Sequence, residues 1–309
     1  MGRSEALAAT LRLICAVAPL DVPVLLTGPS GTGKTELAKL IARASKRASS
    51  PFVPLNCAAI PDDLLESELF GAYPGAHSTA TKKVLGKVEI ASGGTLFLDE
   101  VAELSASAQA KLLQLLQDGT YWPLGAPRAA SADVRVIAAT NANLAERVSE
   151  GRFREDLFYR LDVVNIDVPG LEQRRTDIPL LVERFLATER GRLGQEGLTL
   201  SMSARQALMV AEWPGNVRQL GNLILRAAVR AHSEGATEIE ARHCFPDAPR
   251  LQQEIVPWQM AIRDLQRRLL SEALEATKGN IPDAARRLGI ARSHAYDLVK
   301  ELGLKARAG

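Results

Sequence analysis

The sequence has 309 residues, of which 46% are hydrophobic and 24% charged, a composition typical of soluble globular proteins with two or three domains. Its apolar runs, such as those at 24–26 and 136–139, fall far short of the roughly 20 residues that cross a bilayer, so we expect no membrane span. The formal net charge of +2 selects no class of partner by itself.

The three cysteines, at 15, 57 and 244, are odd in number and widely spaced, and none belongs to a CxxC or Cys/His cluster. Such spacing favours neither a disulfide framework nor a zinc site. The cysteines therefore predict buried, reduced thiols in a cytoplasmic protein. No charged-then-apolar leader pattern opens the sequence, which agrees with that expectation.

Through the first two thirds of the chain, short apolar runs alternate with helical periodicity. The runs that predict strands are VPVLLTG (22–28), FVPLNC (52–57), TLFLDE (95–100), VRVIAAT (134–140) and VVNIDV (163–168). Segments such as ELAKLIARAS (36–45) and SASAQAKLLQLLQDG (105–119) have the apolar spacing of amphipathic helices. This alternation, with strands that are apolar throughout, predicts an α/β fold whose parallel sheet is covered by helices on both faces.

The rest of the chain has a different pattern. From about 175 to 245 the predicted strands stop and only helical periodicity remains, and the polar segment DAPRLQQEIVP (247–257) contains two prolines. We therefore predict an α/β subdomain at 1–174, a helical subdomain at 175–246, a linker at 247–257 and an all-α unit at 258–309.

The first predicted strand runs into GPSGTGKT (28–35), which fits the P-loop pattern G-x-x-x-x-G-K-[ST] and opens a predicted helix. Gly28, Gly31 and Gly33 let the backbone curl so that its N–H groups face phosphate oxygens. Lys34 is expected to reach the β- and γ-phosphates, and the Thr35 hydroxyl to bind Mg2+. The expected ATP contacts of this segment are Gly28, Pro29, Ser30, Gly31, Thr32, Gly33, Lys34, Thr35 and Glu36.

TLFLDE (95–100) supplies two carboxylates at the carboxyl end of a buried strand, where open α/β sheets place their ligands. Asp99 is expected to hold Mg2+, and Glu100 to orient and activate the attacking water. The simpler alternative is an acidic strand end at a loop. The P-loop, about 65 residues upstream, favours ATP hydrolysis, since no acceptor site for a kinase reaction is evident.

Five segments together carry a family resemblance: ESELFG (66–71), GGTLFLDE (93–100), VRVIAATN (134–141), FREDLFYRL (153–161) and WPGNVRQL (213–220). In order and spacing they resemble the AAA+ domain of bacterial enhancer-binding proteins, the NtrC class that activates sigma-54 RNA polymerase. The resemblance covers roughly residues 1 to 245, and the segment from about 258 resembles the Fis-type DNA-binding domain that commonly follows. It implies an ATP-hydrolysing transcription regulator with a C-terminal helix-turn-helix.

In this family the ATPase site forms between subunits, usually in a hexameric ring. The resemblance implies that Arg154 and Arg160 act as arginine fingers on the neighbour's γ-phosphate, where a cation stabilises phosphoryl transfer. The alternative is that an arginine here pairs with Glu155 or Asp156 on a surface helix.

The resemblance also implies roles for four residues near the expected nucleotide. Thr140 and Asn141 match sensor I, which lies beside the γ-phosphate, and Arg218 matches sensor II, which reaches from the helical subdomain to the nucleotide. Asn56 occupies the position of an asparagine that holds the catalytic glutamate away until the loop state changes. By itself, the WPG segment at 213–215 predicts only a helix end, a turn and a new helix.

In the same family, the segment after ELFG carries a loop whose core is GAFTGA and which contacts sigma-54. The aligned residues here are Gly75, Ala76, His77, Ser78, Thr79 and Ala80. His77 replaces the aromatic residue of that contact, and the β-branched Thr79 replaces a glycine, which adopts positive φ more easily. Two hypotheses follow. The protein remodels the sigma-54 holoenzyme with an altered loop tip, or it is a DNA-binding regulator that does not engage sigma-54 and uses ATP only to control oligomerisation.

The C-terminal segment predicts three helices, at about 258 to 276, 280–289 and 291–302, of which the last is the expected recognition helix. From residue 251 onward there are ten basic residues and seven acidic ones, a balance that permits binding to nucleic acid. The expected DNA contacts are Arg286, Arg287, Arg292, Ser293, His294, Tyr296 and Lys300. The alternative is a helical oligomerisation appendage.

Fis-type units bind DNA as dimers, so the first of these helices is expected to pair two chains. Its predicted apolar stripe consists of Ile262, Leu265, Leu269, Leu270 and Leu274. The resemblance thus implies a homo-oligomer, between a dimer and a hexamer. Since the sequence begins close to the AAA+ domain, we expect the activating signal to come from a separate protein or from a trimmed N-terminal sensor domain.

Overall fold

The computed structural model describes residues 2–75, 83–246, 258–277 and 279–304. The chain divides into two compact units, Met1–Asp247 and Ala248–Gly309. The predicted linker, 247–257, lies outside the described residues, and the predicted domain boundaries stay predictions.

The first unit is built on a parallel sheet. Its described strands are β1 (Val24–Thr27), β2 (Phe52–Asn56), β3 (Thr95–Asp99), β4 (Thr120–Tyr121), β5 (Ala130–Ser131), β6 (Arg135–Thr140), β7 (Asn165–Asp167), β8 (Thr199–Leu200) and β9 (Glu238–Ile239). Five of them form the main sheet in the order β2-β3-β6-β1-β7, and every neighbouring pair is parallel. The five predicted strands are thus confirmed. Their carboxyl ends are aligned, since Thr27 pairs with Thr140, and Asp99 pairs with both Asn56 and Ala139.

Helices cover both faces of this sheet, as predicted. They are α1 (Glu5–Val17), α2 (Lys34–Arg43), α3 (Asp62–Phe70), α4 (Lys87–Ile90), α5 (Ala106–Asp118), α6 (Leu144–Ser149) and α7 (Glu155–Leu161). Within β3, Leu96 and Leu98 belong to the core that contains α3 to α7, whereas Phe97 belongs to the core that contains α1 and α2. Burial on both faces explains why these strands are apolar throughout.

A helical subdomain completes the first unit. After a 3-10 helix at Leu171–Asp177, its elements are α8 (Ile178–Leu193), α9 (Met202–Val210), α10 (Asn216–Ser233) and α11 (Ala241–Cys244). Trp213 lies in its core and is 1% exposed. The predicted helix end, turn and new helix around WPG are confirmed, because α9 ends at Val210 and α10 begins at Asn216.

Two short strand pairs are additions to the predicted fold. The expectation that 175–245 contains only helices is wrong in one detail, since β8 and β9 form a two-residue parallel pair there. The antiparallel pair of β4 and β5 has no counterpart among the predicted strands. Strands of two residues are too short to show the alternating apolar pattern that identifies a strand in a sequence.

The three cysteines are free thiols, but the expectation that all are buried is wrong for Cys15. Cys15 is exposed on α1, whose core contacts come from Leu7, Ile14 and other apolar residues on the opposite face. A single cysteine carries no periodic signal that would place it on one face or the other. Cys57 and Cys244 are buried, as predicted.

The described part of the second unit consists of α12 (Trp258–Ala276), α13 (Ile281–Leu288) and α14 (Arg292–Glu301). Asn280 caps α13 by accepting a hydrogen bond from the backbone N–H of Asp283, and Gly289 ends α13 with a φ of 67°. The helix, tight glycine turn and second helix that the sequence predicts are therefore present. Nowhere in the described ranges is a helix both long and apolar enough to cross a membrane.

The predicted apolar stripe of α12 does not form one continuous core face. Leu270 and Leu274 are buried against α13 and α14, whereas Leu265 and Leu269 are 46% and 43% exposed. A short three-helix unit has too little partner surface to cover the whole length of its longest helix. The stripe thus divides into a buried part and an exposed part.

Candidate nucleotide-binding site

The P-loop connects β1 to α2, as the sequence predicts. Its three glycines all have positive φ, with 138° at Gly28, 77° at Gly31 and 104° at Gly33. This region of backbone conformation favours glycine, so the loop needs these residues to form its curve. The Thr32 hydroxyl donates to the Pro29 carbonyl at 3.0 Å, which closes the curve from within.

Lys34 is the first residue of α2, and its side chain is buried in the loop. Its ammonium group donates to the carbonyls of Gly28 and Pro29, at 2.7 and 3.2 Å. Burial lowers the pKa of Lys34, and the carboxylates of Glu100 and Asp99 oppose that shift. The lysine therefore lies under the loop, and the carboxylates of Glu100 and Asp99 are close enough to influence it.

The Oγ1 atom of Thr35 lies 3.4 Å from Oδ2 of Asp99. A hydroxyl and a carboxylate are oxygen ligands of the kind that Mg2+ prefers, and Mg2+ usually completes its shell with water and phosphate oxygens. Within the described residues, no cluster of three or more His, Cys, Asp or Glu side chains could hold a metal ion. This pair therefore fits a Mg2+ ion that is shared with a nucleotide better than one held by protein groups alone.

Glu100 follows β3 with φ 53° and ψ 52°, a left-handed conformation that residues other than glycine rarely adopt. Its Oε2 accepts a hydrogen bond of 3.1 Å from the backbone N–H of Asn141, which follows β6. Strain of this kind costs about 1–3 kcal/mol and persists where the surrounding structure imposes it. The fold thus brings the predicted catalytic glutamate to the predicted sensor I position, where Thr140 is fully buried.

Asn56 lies at the end of β2 and is next to Asp99 in the sheet register. Its Oδ1 accepts a hydrogen bond from the backbone N–H of Ala58 and so caps the 3-10 helix Cys57–Ala59. In this structure the hydrogen-bond donor to Glu100 is the Asn141 backbone. The role of Asn56 as a restraint on the catalytic glutamate stays a prediction.

The helical subdomain reaches the nucleotide site through α10. Arg218, the predicted sensor II residue, donates from Nη1 to Oγ of Ser30 at 3.1 Å. A cavity of about 560 Å³ is lined by residues of both the P-loop and this subdomain. The predicted ligands that line it are Ser30, Gly31, Gly33, Lys34, Thr35, Glu36, Asp99, Glu100 and Arg218. Glu36 also pairs with Lys39 at 2.7 Å, and this hydrogen bond lowers the pKa of the Glu36 carboxyl.

The two predicted arginine fingers lie elsewhere in the described structure. Arg154 is exposed at the start of α7 and pairs with Asp156 at 2.7 Å, the surface ion pair that the sequence left open as an alternative. Arg160 donates from Nε and Nη2 to the Leu116 carbonyl, at 3.1 and 2.9 Å, and lines a separate cavity of about 790 Å³. One chain therefore does not bring either arginine to its own nucleotide cavity.

The predicted sigma-54 loop has its base in the described structure. Ala72 and Val84 exchange backbone hydrogen bonds of 3.1 and 2.8 Å, and Gly75 has a φ of 83°. The other aligned residues of the tip, Ala76 to Ala80, lie outside the described residues. The predicted alteration of the loop tip by His77 and Thr79 therefore stays a prediction.

The predicted DNA contacts lie on α13 and α14, and all of them are exposed. They are Arg286, Arg287, Arg292, Ser293, His294, Tyr296 and Lys300. Arg286 forms an ion pair of 3.2 Å with Asp283 on the same helix. The start of α14 has Ala291 at its cap position, without a side-chain hydrogen bond.

Sequence analysis missed two residues of the nucleotide site. Arg174 donates from Nη2 to the Thr32 carbonyl at 2.6 Å, and Asn216 donates from Nδ2 to the Ser30 carbonyl at 2.9 Å. Asn216 lies inside the segment WPGNVRQL, so the motif indicated its neighbourhood but not this contact. Arg174 lies in no segment that carried a motif.

Comparison with known proteins agrees with this geometry. Residues 1–167 match the sigma-54 interaction domain family, residues 172–254 match the AAA+ ATPase lid domain, and residues 261–294 match the Fis family of bacterial regulatory proteins. The chain belongs to the sigma-54-interacting AAA+ family. The family resemblance found in the sequence is thereby confirmed, as is the fold with a P-loop sheet, a helical lid and a C-terminal helix-turn-helix.

Curated relatives of this family member are longer proteins. The chain is 44% identical to the nitric oxide reductase transcription regulator NorR2 of Cupriavidus necator, over 99% of the chain and 63% of that protein. It is also 44% identical to the transcriptional regulatory protein ZraR of Salmonella typhimurium, over 94% of the chain and 66% of that protein. The chain therefore spans less than two thirds of the length of these relatives.

Solved structures of related proteins share the fold. The crystal structure of NtrX from Brucella abortus in complex with ATP has a TM-score of 0.72 and 34% identity, covering 98% of this chain and 69% of that chain. The RuvB branch migration motor of Thermotoga maritima has a TM-score of 0.54 at 16% identity, over 100% of this chain and 90% of that chain, which shows a shared fold alone.

Proposed function

We propose that this protein is an ATP-hydrolysing transcription regulator that binds DNA through its C-terminal unit and remodels the sigma-54 RNA polymerase holoenzyme. One observation carries the hydrolysis: Lys34, Thr35, Asp99, Glu100 and Arg218 line one cavity. Groups suited to phosphate, to Mg2+ and to the attacking water are thus within reach of a single nucleotide, at the end of the sheet where α/β proteins bind ligands.

Each group has a distinct role in the proposed reaction. The N–H groups of the P-loop and the Lys34 ammonium bind the phosphates, and Arg218 holds the nucleotide from the lid. Thr35 and Asp99 would hold Mg2+, which neutralises charge on the β- and γ-phosphates. Glu100 accepts a proton from the attacking water.

A second copy of the chain completes the proposed site. Arg154 and Arg160 lie away from the cavity of their own chain, so a role at the γ-phosphate requires that they come from a neighbouring subunit. Arg154 is exposed, and an exposed ion pair such as that with Asp156 is worth little, so a phosphate can displace it. A finger supplied in trans accelerates phosphoryl transfer by about 10³–10⁵-fold in other systems. The proposal therefore includes a homo-oligomer, up to a hexameric ring.

The substitution Glu100→Gln tests the hydrolysis. It keeps the size of the side chain and removes the base, so we expect ATP turnover to fall by about 10²–10⁴-fold while the Kd for ATP stays nearly unchanged. Phosphate release and titration with a fluorescent nucleotide measure the two quantities. The matched control Glu183→Gln removes a surface carboxylate that pairs with Arg205 on the lid, and should leave turnover intact. Unchanged turnover in Glu100→Gln would overturn the assignment.

The match of residues 1–167 to the sigma-54 interaction domain supports sigma-54 as the partner, over the alternative in which ATP only controls oligomerisation. A pull-down of sigma-54 with an ATP transition-state mimic tests this partner. It compares the native chain with one whose 75–80 segment is restored to GAFTGA. Capture of sigma-54 by the native tip supports the proposal, whereas capture by the restored tip alone selects the alternative.

DNA binding is supported by the Fis-family match at 261–294 and by the exposure of the seven predicted contacts. Arg286, Arg287 and Lys300 are proposed to contact phosphates. Arg292 and the residues that follow it at the start of α14 are proposed to contact base edges in the major groove.

A further inference from the structure

Three consecutive carbonyl groups of the P-loop accept hydrogen bonds from the helical lid. The pairs are Ser30 with Nδ2 of Asn216 at 2.9 Å, Gly31 with the backbone N–H of Arg218 at 3.2 Å, and Thr32 with Nη2 of Arg174 at 2.6 Å. The lid thus contacts the outer side of the segment whose inner side is proposed to bind phosphates.

The geometry of the peptide bond links these two sides. In a trans peptide, the carbonyl of one residue and the N–H of the next point in opposite directions. Because the carbonyls at 30–32 face the lid, the N–H groups of Gly31, Thr32 and Gly33 face the other way. Those are the groups that cradle phosphate oxygens in a P-loop. The hydrogen bonds from the lid therefore fix the orientation of the phosphate-binding amides.

Asn216 is held rigidly for this contact. It is 4% exposed and has a φ of 51°, a left-handed conformation that asparagine tolerates better than most residues. Its Nδ2 donates to the carbonyls of Ser30 and Pro214, and its Oδ1 accepts from the backbone N–H of Leu171 at 2.7 Å. One side chain thus connects the P-loop, the turn before α10 and the start of the lid.

Arg174 makes the second side-chain contact from a buried position. It is 5% exposed, and burial lowers the pKa of its guanidinium, an effect that Asp177 opposes. A buried cation is costly unless its hydrogen bonds are used. Its Nη2 is bonded to Thr32, whereas its Nε has no hydrogen-bond partner among the described residues. The hydrogen bond to the Thr32 carbonyl therefore helps to hold the Arg174 side chain in its buried position.

The P-loop and the lid also contact each other directly through their backbones, at Gly31 and Gly215. A Cβ atom added at Gly31 would lie 2.4 Å from the carbonyl oxygen of Gly215 in the lid. No side chain fits between the loop and the lid at this point. Any movement of the lid must therefore change the hydrogen bonds of the P-loop.

We propose that Asn216 and Arg174 are positioning residues that hold the P-loop amides in their phosphate-binding orientation, so that the lid controls nucleotide affinity from outside the loop. This inference rests on the proposed nucleotide site. The amides contact the phosphates in the ground state and in the transition state alike. Loss of their orientation should therefore raise KM and leave kcat nearly unchanged, whereas a loss of folded protein would lower kcat at constant KM.

The substitution Asn216→Asp is the sharpest test. Aspartate keeps the oxygen that accepts from Leu171 and tolerates positive φ, but its carboxylate cannot donate to Ser30. We expect KM for ATP and Kd for MgADP to rise about tenfold at pH 8, the effect of leaving one buried acceptor unpaired, with kcat within about twofold of the native value.

Arg174 gives a second, independent pair of variants. Arg174→Met removes the donor and should raise KM and Kd in the same direction, while Arg174→Lys keeps a donor and should recover part of the loss. The matched control for the first variant is Asn280→Asp, the same chemical change at the cap of α13 in the other unit, where the retained oxygen still accepts from Asp283. We expect it to leave KM, Kd and kcat unchanged.

The outcomes separate this inference from the proposed function. Native affinity in both Asn216→Asp and Arg174→Met, or a fall in kcat at constant KM, overturns the inference. The MgADP titration needs no turnover, so it decides the inference even for a chain that does not hydrolyse ATP. Intact MgADP binding without turnover in the native chain would contradict the proposed hydrolysis alone.

Discussion

Lys34, Glu100 and Asn216 each occupy a position that the isolated side chain would not favour. The lysine is buried, and the other two have a left-handed backbone. The left-handed backbone conformations cost about 1–3 kcal/mol each, and strain of this kind is concentrated at functional sites. Lys34 and Glu100 were predictable because local motifs specify them. The contact of Asn216 was not, since the Ser30 carbonyl that it binds is 186 residues away along the chain.

The three thiols give a prediction at the same scale. Burial raises the pKa of Cys57 to about 12 and that of Cys244 to about 11, whereas Cys15 is exposed. Because the thiolate is the reactive form, iodoacetamide at pH 8 should modify Cys15 in the native chain about 100-fold faster than the other two. Peptide mass spectrometry measures the rates. In urea all three should react, and Cys15→Ser should leave the folded chain almost unmodified. Rapid modification of Cys57 in the native chain would contradict its burial at the end of β2.

At the scale of elements, the main sheet was predictable and the small strand pairs were not. The strands β1, β3 and β6 are buried on both faces, so each appears in the sequence as a run of apolar residues. The pairs β4–β5 and β8–β9 have two residues per strand, too few to show an apolar pattern in the sequence. The exposed part of α12 was missed for a related reason, because periodicity alone does not show how much partner surface is available.

The recognition helix α14 carries the prediction at this scale. Arg292→Ala should lower affinity for a site selected from a random duplex library by about 5- to 100-fold and relax its sequence preference, since this side chain is proposed on a base edge. Arg286→Ala should weaken binding to selected and to random duplexes by similar factors. It should also reduce the slope of log affinity against log salt concentration by about one unit. Fluorescence anisotropy at several salt concentrations measures both. Arg205→Ala, on the lid, is the control. Unchanged DNA binding in both Arg292→Ala and Arg286→Ala would favour the alternative in which the C-terminal unit only serves oligomerisation.

At the scale of the whole molecule, the candidate nucleotide cavity and the two arginines proposed as fingers lie on different surfaces of the described chain. The cavity is lined by residues of the P-loop, α2, β3, α8 and α10, while Arg154 is exposed at the start of α7. The resemblance predicted this separation, because the family places its sites between subunits. Composition and periodicity could not predict it, since they carry no information about a second copy.

Mixing two inactive variants tests the shared site most directly. Arg154→Ala should lack the finger and keep Glu100, whereas Glu100→Gln should lack the base and keep the finger. Each of these two variants alone should be nearly inactive. The same mixing experiment is repeated with Arg160→Ala in place of Arg154→Ala. In co-assembled oligomers, about a quarter of the interfaces of an equal mixture receive both groups intact, since each protomer meets its neighbour head to tail. Two affinity tags confirm that the variants assemble together.

The measurement is the rate of phosphate release by the mixture, compared with each variant alone at the same total concentration. We predict that mixing restores up to about a quarter of native turnover, because one subunit then grips the nucleotide and its neighbour supplies the cation. A co-assembled mixture as inactive as its components, or full turnover by a chain that lacks both Arg154 and Arg160, would contradict a site shared between subunits.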